Sequence, residues 1–211
     1  TLANIAALAE PHRLGVFGAF HLTADDGLAD GLQTLVLLGP EEPGFWAHLT
    51  GQDEWRDDAA DPVDRWSRRV IGTMACDLGG KAYFPFGGPP YRPFFQWALR
   101  SGRAFASPVT LLVHDRAGLF VSYRGALALR ERLDLPPVAA GSPCETCDAK
   151  PCLTACPAGA LGVVLASKTG DEVAAWEGSY RGMRKCPHCA ESIKAQAKVC
   201  KHCGRDVKPA A

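Results

Sequence analysis

Residues 144–157 read CETCDAKPCLTACP and residues 186–203 read CPHCAESIKAQAKVCKHC, and these two stretches hold eight of the nine cysteines of the 211-residue chain. Their reading decides where an ordinary protein body ends and where metal-organised structure begins. Cysteines separated by two residues can point both sulfurs at a common centre through a tight turn. That arrangement suits a tetrahedral ion or an inorganic cluster better than an unstrained disulfide. Two sites are therefore expected, one from Cys144, Cys147, Cys152 and Cys156 and one from Cys186, Cys189, Cys200 and Cys203.

Working outward from the first stretch, the composition is that of a folded, water-soluble chain: 47% hydrophobic, 22% charged, formal net charge zero. The longest apolar stretch, Ala160 to Ala166, contains a glycine and is far short of the ~18 residues that span a bilayer, so no membrane association is expected. The first residues lack a basic n-region and a cleavage signature. A reducing cytoplasmic location, where thiolates stay available to metals, is the expectation. The zero net charge hides an asymmetry: residues 1–180 carry 15 Lys and Arg against 21 Asp and Glu, and residues 181–211 carry 8 against 2. Four thiolates on one divalent ion leave a local charge of minus two, which neighbouring lysines offset; that explanation is preferred to a nucleic-acid surface.

Upstream, an α+β domain with a mixed or antiparallel sheet and flanking helices is expected over residues 1–138. Leu2 to Glu10 has helical spacing, capped by Thr1 and ended by Pro11. Val16 to Leu22 and Leu32 to Leu38 are short apolar runs bounded by turn residues and read as strands of one sheet. Asp61-Pro62 opens what should be the longest helix, with Asp61 accepting from free amides and Trp66, Val70, Ile71 and Met74 forming one stripe before Gly79-Gly80. Cys76 within it reads as a small core residue without a role. FPFGGPPYRP, residues 84–93, cannot be regular structure. It is either a wall for a flat ligand or a rigid turn whose rings fill the core, the latter being preferred. Phe94 to Arg100 resumes as helix, and Val109 to His114 with Leu119 to Tyr123 reads as a hairpin about Asp115 to Gly118. His12, His21, His48 and His114 fit no catalytic constellation and are assigned core or surface roles.

Residues 139–162 form a tethered cysteine segment. Cys144-Glu-Thr-Cys147, Cys152 and Cys156-Pro157 follow closely the spacing with which thiolates grip a 4Fe–4S cluster, the final Cys-Pro turning backbone amides toward the sulfides. Zinc is the main rival and disulfides the third alternative. Residues 163–183 are a connector with a short helix at Asp171 to Trp176. Residues 184–208 have the spacing of a zinc ribbon: two similar knuckles, Cys-Pro-His-Cys and Cys-Lys-His-Cys, supply two thiolates each. Four thiolates leave no open coordination position, so this Zn2+ is structural. His188 and His202 are given no ligand role.

These motifs carry a wider resemblance. TLLVHDRAGLFVSYRGAL leading to CETCDAKPCLTACPAGAL, together with FPFGGPPYRPFFQWALRSG and EPHRLGVFGAFH, resembles the ferredoxin-annotated proteins of alphaproteobacteria. That group is similar to epoxyqueuosine reductase and to cobalamin-processing proteins. The resemblance covers about residues 1–161 and implies an α+β domain with a 4Fe–4S module behind it. The second cysteine set of that group is missing, so the module is truncated; either Cys156 completes a local four-cysteine site or the site is incomplete. Arg184 to about Val207 is similar to small bacterial zinc ribbons. Together these imply an iron–sulfur electron-transfer protein with a redox partner protein, whose basic ribbon docks protein or nucleic acid. The alternatives are a non-redox zinc-binding interaction module and a flavin- or corrinoid-dependent reductase. No catalytic residue is assigned, and any enzymatic activity would be that of an oxidoreductase.

Overall fold

The computed structural model describes residues 1–88, 91–138, 141–157, 183–185, 192–194, 198–199 and 206–208. The chain divides into two compact units, Thr1–Pro151 and Cys152–Ala211.

In the first unit, α1 (Leu2–Ala9) starts where Thr1 Oγ1 accepts from the Asn4 amide at 3.3 Å, and it passes into a 3₁₀ turn, Glu10–His12, containing Pro11. Strand β1 (Leu14–His21) runs antiparallel to β2 (Thr34–Pro40). The two apolar runs of the sequence are therefore neighbouring strands. Short helices α2 (Phe45–Thr50) and α3 (Asp53–Arg56) lead to α4 (Pro62–Asp77), and β3 (Lys81–Tyr83) follows. Helix α5 (Phe94–Arg100) precedes β4 (Ala104–Ala106) and β5 (Leu112–His114), and β6 (Gly125–Leu129) completes the sheet. The principal sheet has the order β1-β2-β6-β3, antiparallel throughout, and β4 and β5 form a separate two-stranded ribbon.

Alternation along the two central strands separates the core into two layers. Val36 and Leu38 of β2 with Leu127 and Leu129 of β6 face Ile5 of α1 and Trp66, Val70, Ile71 and Met74 of α4. The intervening Leu35, Leu37, Ala126 and Ala128 face Phe94 and Trp97 of α5. Because both faces are covered, β2 is buried from Thr34 to Gly39 and reads as a continuous apolar run instead of alternating. Thr34, the polar residue at its start, is satisfied: its hydroxyl donates to Glu131 O at 2.8 Å and accepts from Leu133 N at 3.0 Å.

Three local expectations are corrected. Asp61 precedes α4 in the left-handed conformation, φ 55° and ψ 48°, and its side chain makes no capping bond. The turn before the helix is instead tied by Arg65, which holds Asp57 through two bonds of 2.7 Å and reaches the Ala60 carbonyl at 2.9 Å. Cys76 is exposed, because the buried stripe of α4 runs through Trp66, Val70, Ile71, Met74 and Ala75 and leaves position 76 facing water. The hairpin about Asp115 to Gly118 is reduced to one bridge, His114 to Gly118. β5 pairs instead with β4, Ala106 opposite Leu112 and Ala104 opposite His114. The reason lies in His114, whose Nδ1 accepts from the Arg116 and Ala117 amides at 3.2 Å each, curling the loop back on itself and ending the ladder.

Residue 17 is the extra residue of a β-bulge: Val16 pairs with Leu38 and Gly18 with Leu37, leaving Phe17 out of the ladder. Its ring lies across Gly39, where a Cβ would stand 2.5 Å from the ring. Its freed carbonyl accepts from His114 Nε2 at 2.9 Å, and the two rings stack at 4.8 Å. The bulge thus locks the β4–β5 ribbon to the main sheet.

In the second unit, β7 (Met183–Lys185) pairs antiparallel with β8 (Ser192–Lys194), Val199 bridges Asp206, and Val207 N donates to Lys198 O at 2.8 Å. The helix expected at Asp171 to Trp176 lies outside the described residues. No helix among the described residues is long and apolar enough to cross a membrane.

Candidate metal centres

The first cysteine segment is built from turns because its sequence, rich in Pro and small residues, offers neither helical nor strand periodicity. Ser142 starts it: its hydroxyl accepts from the Cys144 amide at 3.2 Å and its carbonyl from the Glu145 amide at 2.9 Å. Lys150 takes a positive φ of 39°, and Pro151–Leu153 form a 3₁₀ turn carrying Cys152. Cys144, Cys147, Cys152 and Cys156 are all half-buried thiols, none in a disulfide. Cys144 and Cys147 belong to the first compact unit, Cys152 and Cys156 to the second. Among the described residues no three His, Cys, Asp or Glu side chains are grouped closely enough to hold a metal ion.

Within the first unit, Cys144 and Cys147 open onto a recess of about 620 Å³, lined also by Ser107 and Pro108 of the β4–β5 turn, by Ser142 and by Lys150. Cys152 and Cys156 are not among the residues that line it. The wall beside it holds an orphaned polar atom, since Ser107 is 6% exposed and its Oγ finds no hydrogen-bond partner among the described residues. Buried hydroxyls are rarely left unpaired.

Cys186, Cys189, Cys200 and Cys203 lie outside the described residues. The backbone on either side is described. Lys185, the last residue of β7, immediately precedes Cys186, and the β7–β8 pairing encloses the first Cys-x-x-Cys in sequence. Val199 immediately precedes Cys200, and its bridge to Asp206 encloses the second. Each knuckle is thus bracketed by an antiparallel pairing, the arrangement by which a ribbon with a minimal core can present two thiolate pairs. Val207 is 5% exposed.

The chain is accordingly an α+β body followed by a small module of antiparallel pairings whose sequence carries Cys186, Cys189, Cys200 and Cys203. Residues 182–207 match the zinc-ribbon domain family, which supports zinc binding by this part of the chain. No curated protein matches the chain, so the resemblance of residues 1–161 to ferredoxin-annotated proteins and reductases receives no support from curated relatives.

Elsewhere the titratable groups are engaged in structure. His114 is 1% exposed, and burial holds its pKa below the usual histidine value. With Nε2 donating to Phe17 O and Nδ1 accepting two amides it is the neutral Nε2–H tautomer, so its 3.1 Å approach to Asp115 is not an ion pair. Asp115 is held by Arg103 through bonds of 2.8 and 2.9 Å, and the carboxyl lies below its usual range because the guanidinium and its hydrogen bonds outweigh partial burial. His12 is lowered by burial and then by neighbouring His48 and Arg69. His21 Nε2 lies 2.9 Å from Leu133 O.

In the aromatic loop, Phe84 packs against the α4-side core and Tyr83 against the α5-side core. Phe86 lies under two guanidinium groups, Arg68 at 5.4 Å and Arg124 at 5.8 Å, and Arg92 covers Tyr83 at 4.9 Å. These rings are occupied by the protein's own cations and core, in keeping with a rigid turn. Pro89 and Pro90 lie outside the described residues.

Proposed function

We propose that the chain is an iron–sulfur electron-transfer protein. In this reading Cys144, Cys147, Cys152 and Cys156 hold a 4Fe–4S cluster, and Zn2+ on Cys186, Cys189, Cys200 and Cys203 builds a structural ribbon that docks a redox partner protein or a nucleic acid. The feature that carries it is the spacing of the four cysteines within residues 144–156, closed by Cys156-Pro157. The bound cluster would supply one-electron redox chemistry at low potential. The chain's own part is to provide the thiolates, to fix Cys144 through Ser142, and to wall the recess beside Cys144 and Cys147 with the β4–β5 turn. Part of the excess positive charge in residues 181–211 offsets the thiolate-held zinc, and the remainder is what an acidic or phosphate-bearing target of the ribbon would meet.

A non-redox zinc-binding interaction module is the second reading, favoured by the zinc-ribbon match at residues 182–207. Anaerobic purification separates the two. The electron-transfer reading expects brown protein whose visible absorption bleaches on reduction, is lost in Cys147→Ser and is retained in Cys76→Ser. Colourless wild-type protein containing only zinc would establish the second reading in its place.

A further inference from the structure

We infer that the face around Phe120 is a self-association surface, on which a second copy of this chain places its own Phe120 in the recess beside the β1 bulge. The inference is independent of what the cysteines bind.

Phe120 is 96% exposed, the most exposed of the large apolar side chains among the described residues. It does not sit on a loose segment. Its amide donates to Ala117 O at 3.2 Å, and the residues before it are pinned by the Arg116 and Ala117 amides, which donate to His114 Nδ1. A ring held out in water on a fixed turn loses little further freedom on contact, which is the condition of an interface anchor.

Phe120 stands beside a recess of about 590 Å³ whose apolar lining is Phe17, Pro40 and Ala117. Phe17 is the bulged residue, 4% exposed and stacked on His114, so this wall is fixed. A cavity of about 150 Å³ already takes a benzene ring, so the recess has room for a phenyl side chain. The chain's own Phe120 does not fill it, because a ring so exposed touches almost nothing of its own molecule. One patch therefore carries both a knob and a hole, as an interface between two identical surfaces requires.

Charge selects the occupant. Glu41, Glu42 and Arg116 also line the recess. The Arg116 guanidinium is bonded to Glu41 through Nη2 alone, and its side chain remains 58% exposed, so further donors are open. Glu42 is exposed, accepts from the Gly44 amide at 2.8 Å and forms no ion pair among the described residues. A guanidinium with spare donors beside an unpaired carboxylate makes the patch complementary to itself: across a two-fold axis Arg116 of one copy meets Glu42 of the other, and the reverse. A partner carrying one sign of charge would match only half of it.

The test is analytical ultracentrifugation of the full-length protein from low micromolar to submillimolar concentration, with reductant present so that disulfides through exposed Cys76 play no part. Wild type should show a reversible monomer–dimer equilibrium. Phe120→Asp should weaken it by at least about thirtyfold, since each dimer loses two buried rings. Its melting temperature should stay near wild type, because the side chain removed is exposed in the monomer. Glu42→Arg and Arg116→Glu each set like charges against one another and should be monomeric alone. Mixed in equal amounts they should form a heterodimer, because both crossing pairs are then opposite in sign. Wild type that stays monomeric throughout overturns the inference. A Phe120→Asp chain that associates as wild type does, or a mixture of the two charge variants that remains monomeric, overturns it as well.

Discussion

Replacing His114 with alanine tests the lock between the β4–β5 ribbon and the main sheet. Three hydrogen bonds are lost at once: Nε2 to Phe17 O at 2.9 Å, and the Arg116 and Ala117 amides to Nδ1 at 3.2 Å each. The Phe17 carbonyl is freed from the ladder by the bulge, so losing its His114 donor carries the penalty of a buried unpaired group, about 1–3 kcal/mol. The two amides lie nearer the surface and recover water in part, adding about 1 kcal/mol together. The Phe17 stack adds about 0.5–1.5 kcal/mol. The His114→Ala chain should therefore be about 3–5 kcal/mol less stable at neutral pH.

A pH dependence distinguishes this mechanism from simple truncation of a side chain. His114 has its folded pKa depressed below the unfolded 6.5 by burial. The native state thus holds fewer protons, and the stability this group contributes is complete above the unfolded pKa and is lost as pH falls from there through the folded pKa. Urea unfolding between about pH 8 and pH 5 should show wild type losing stability on the acid side, with a smaller loss in His114→Ala. Some acid-side loss remains in the variant, because His12 is depressed as well. A variant within about 1 kcal/mol of wild type, or one with an unchanged pH slope, would refute the reasoning.

Further outcomes follow from single observations. Gly39→Ala should destabilise the body by about 1–3 kcal/mol in thermal or urea melts, because the new methyl would stand 2.5 Å from both the Phe17 ring and the Ser122 carbonyl; a neutral result would mean that both the ring and the Ser122 backbone give way without cost. Exposed Cys76 should react with a thiol reagent in native protein at the rate of an unprotected thiol, and Cys76→Ser should change stability by less than about 0.5 kcal/mol. Chelation of zinc should open residues 184–207 to cleavage at lysine, since a ribbon of this size draws roughly 10–16 kcal/mol of apparent folding energy from its metal. Identical cleavage patterns with and without chelator would speak against a structural zinc.

The elements legible in the sequence are those with enough residues to show a period. Leu2–Ala9, Pro62–Asp77 and Phe94–Arg100 carry helical stripes, and the apolar runs behind β1 and β2 are bounded by turn residues. Strands of three residues, such as Lys81–Tyr83 and Ala104–Ala106, are too short for alternation to register, and Gly125–Leu129 is apolar at every position because both its faces are covered. The misplaced hairpin has a different cause. The choice between Ala104–Ala106 and Leu119–Tyr123 as partner of β5 is made by His114, whose Nδ1 takes the Arg116 and Ala117 amides while its Nε2 is held by Phe17 O across 97 residues, a contact that no local pattern contains. Exposure of Cys76 could have been read from the stripe of α4, which passes through positions 74 and 75 and misses 76. Spacing made all eight clustered cysteines visible as candidates.

Iron, acid-labile sulfide and zinc measured together on one anaerobically purified sample test the central claim most directly. The expected result is about four iron and about four sulfide per chain beside about one zinc. Two zinc and no iron, or thiols at positions 144 to 156 tied to one another as disulfides, would contradict it.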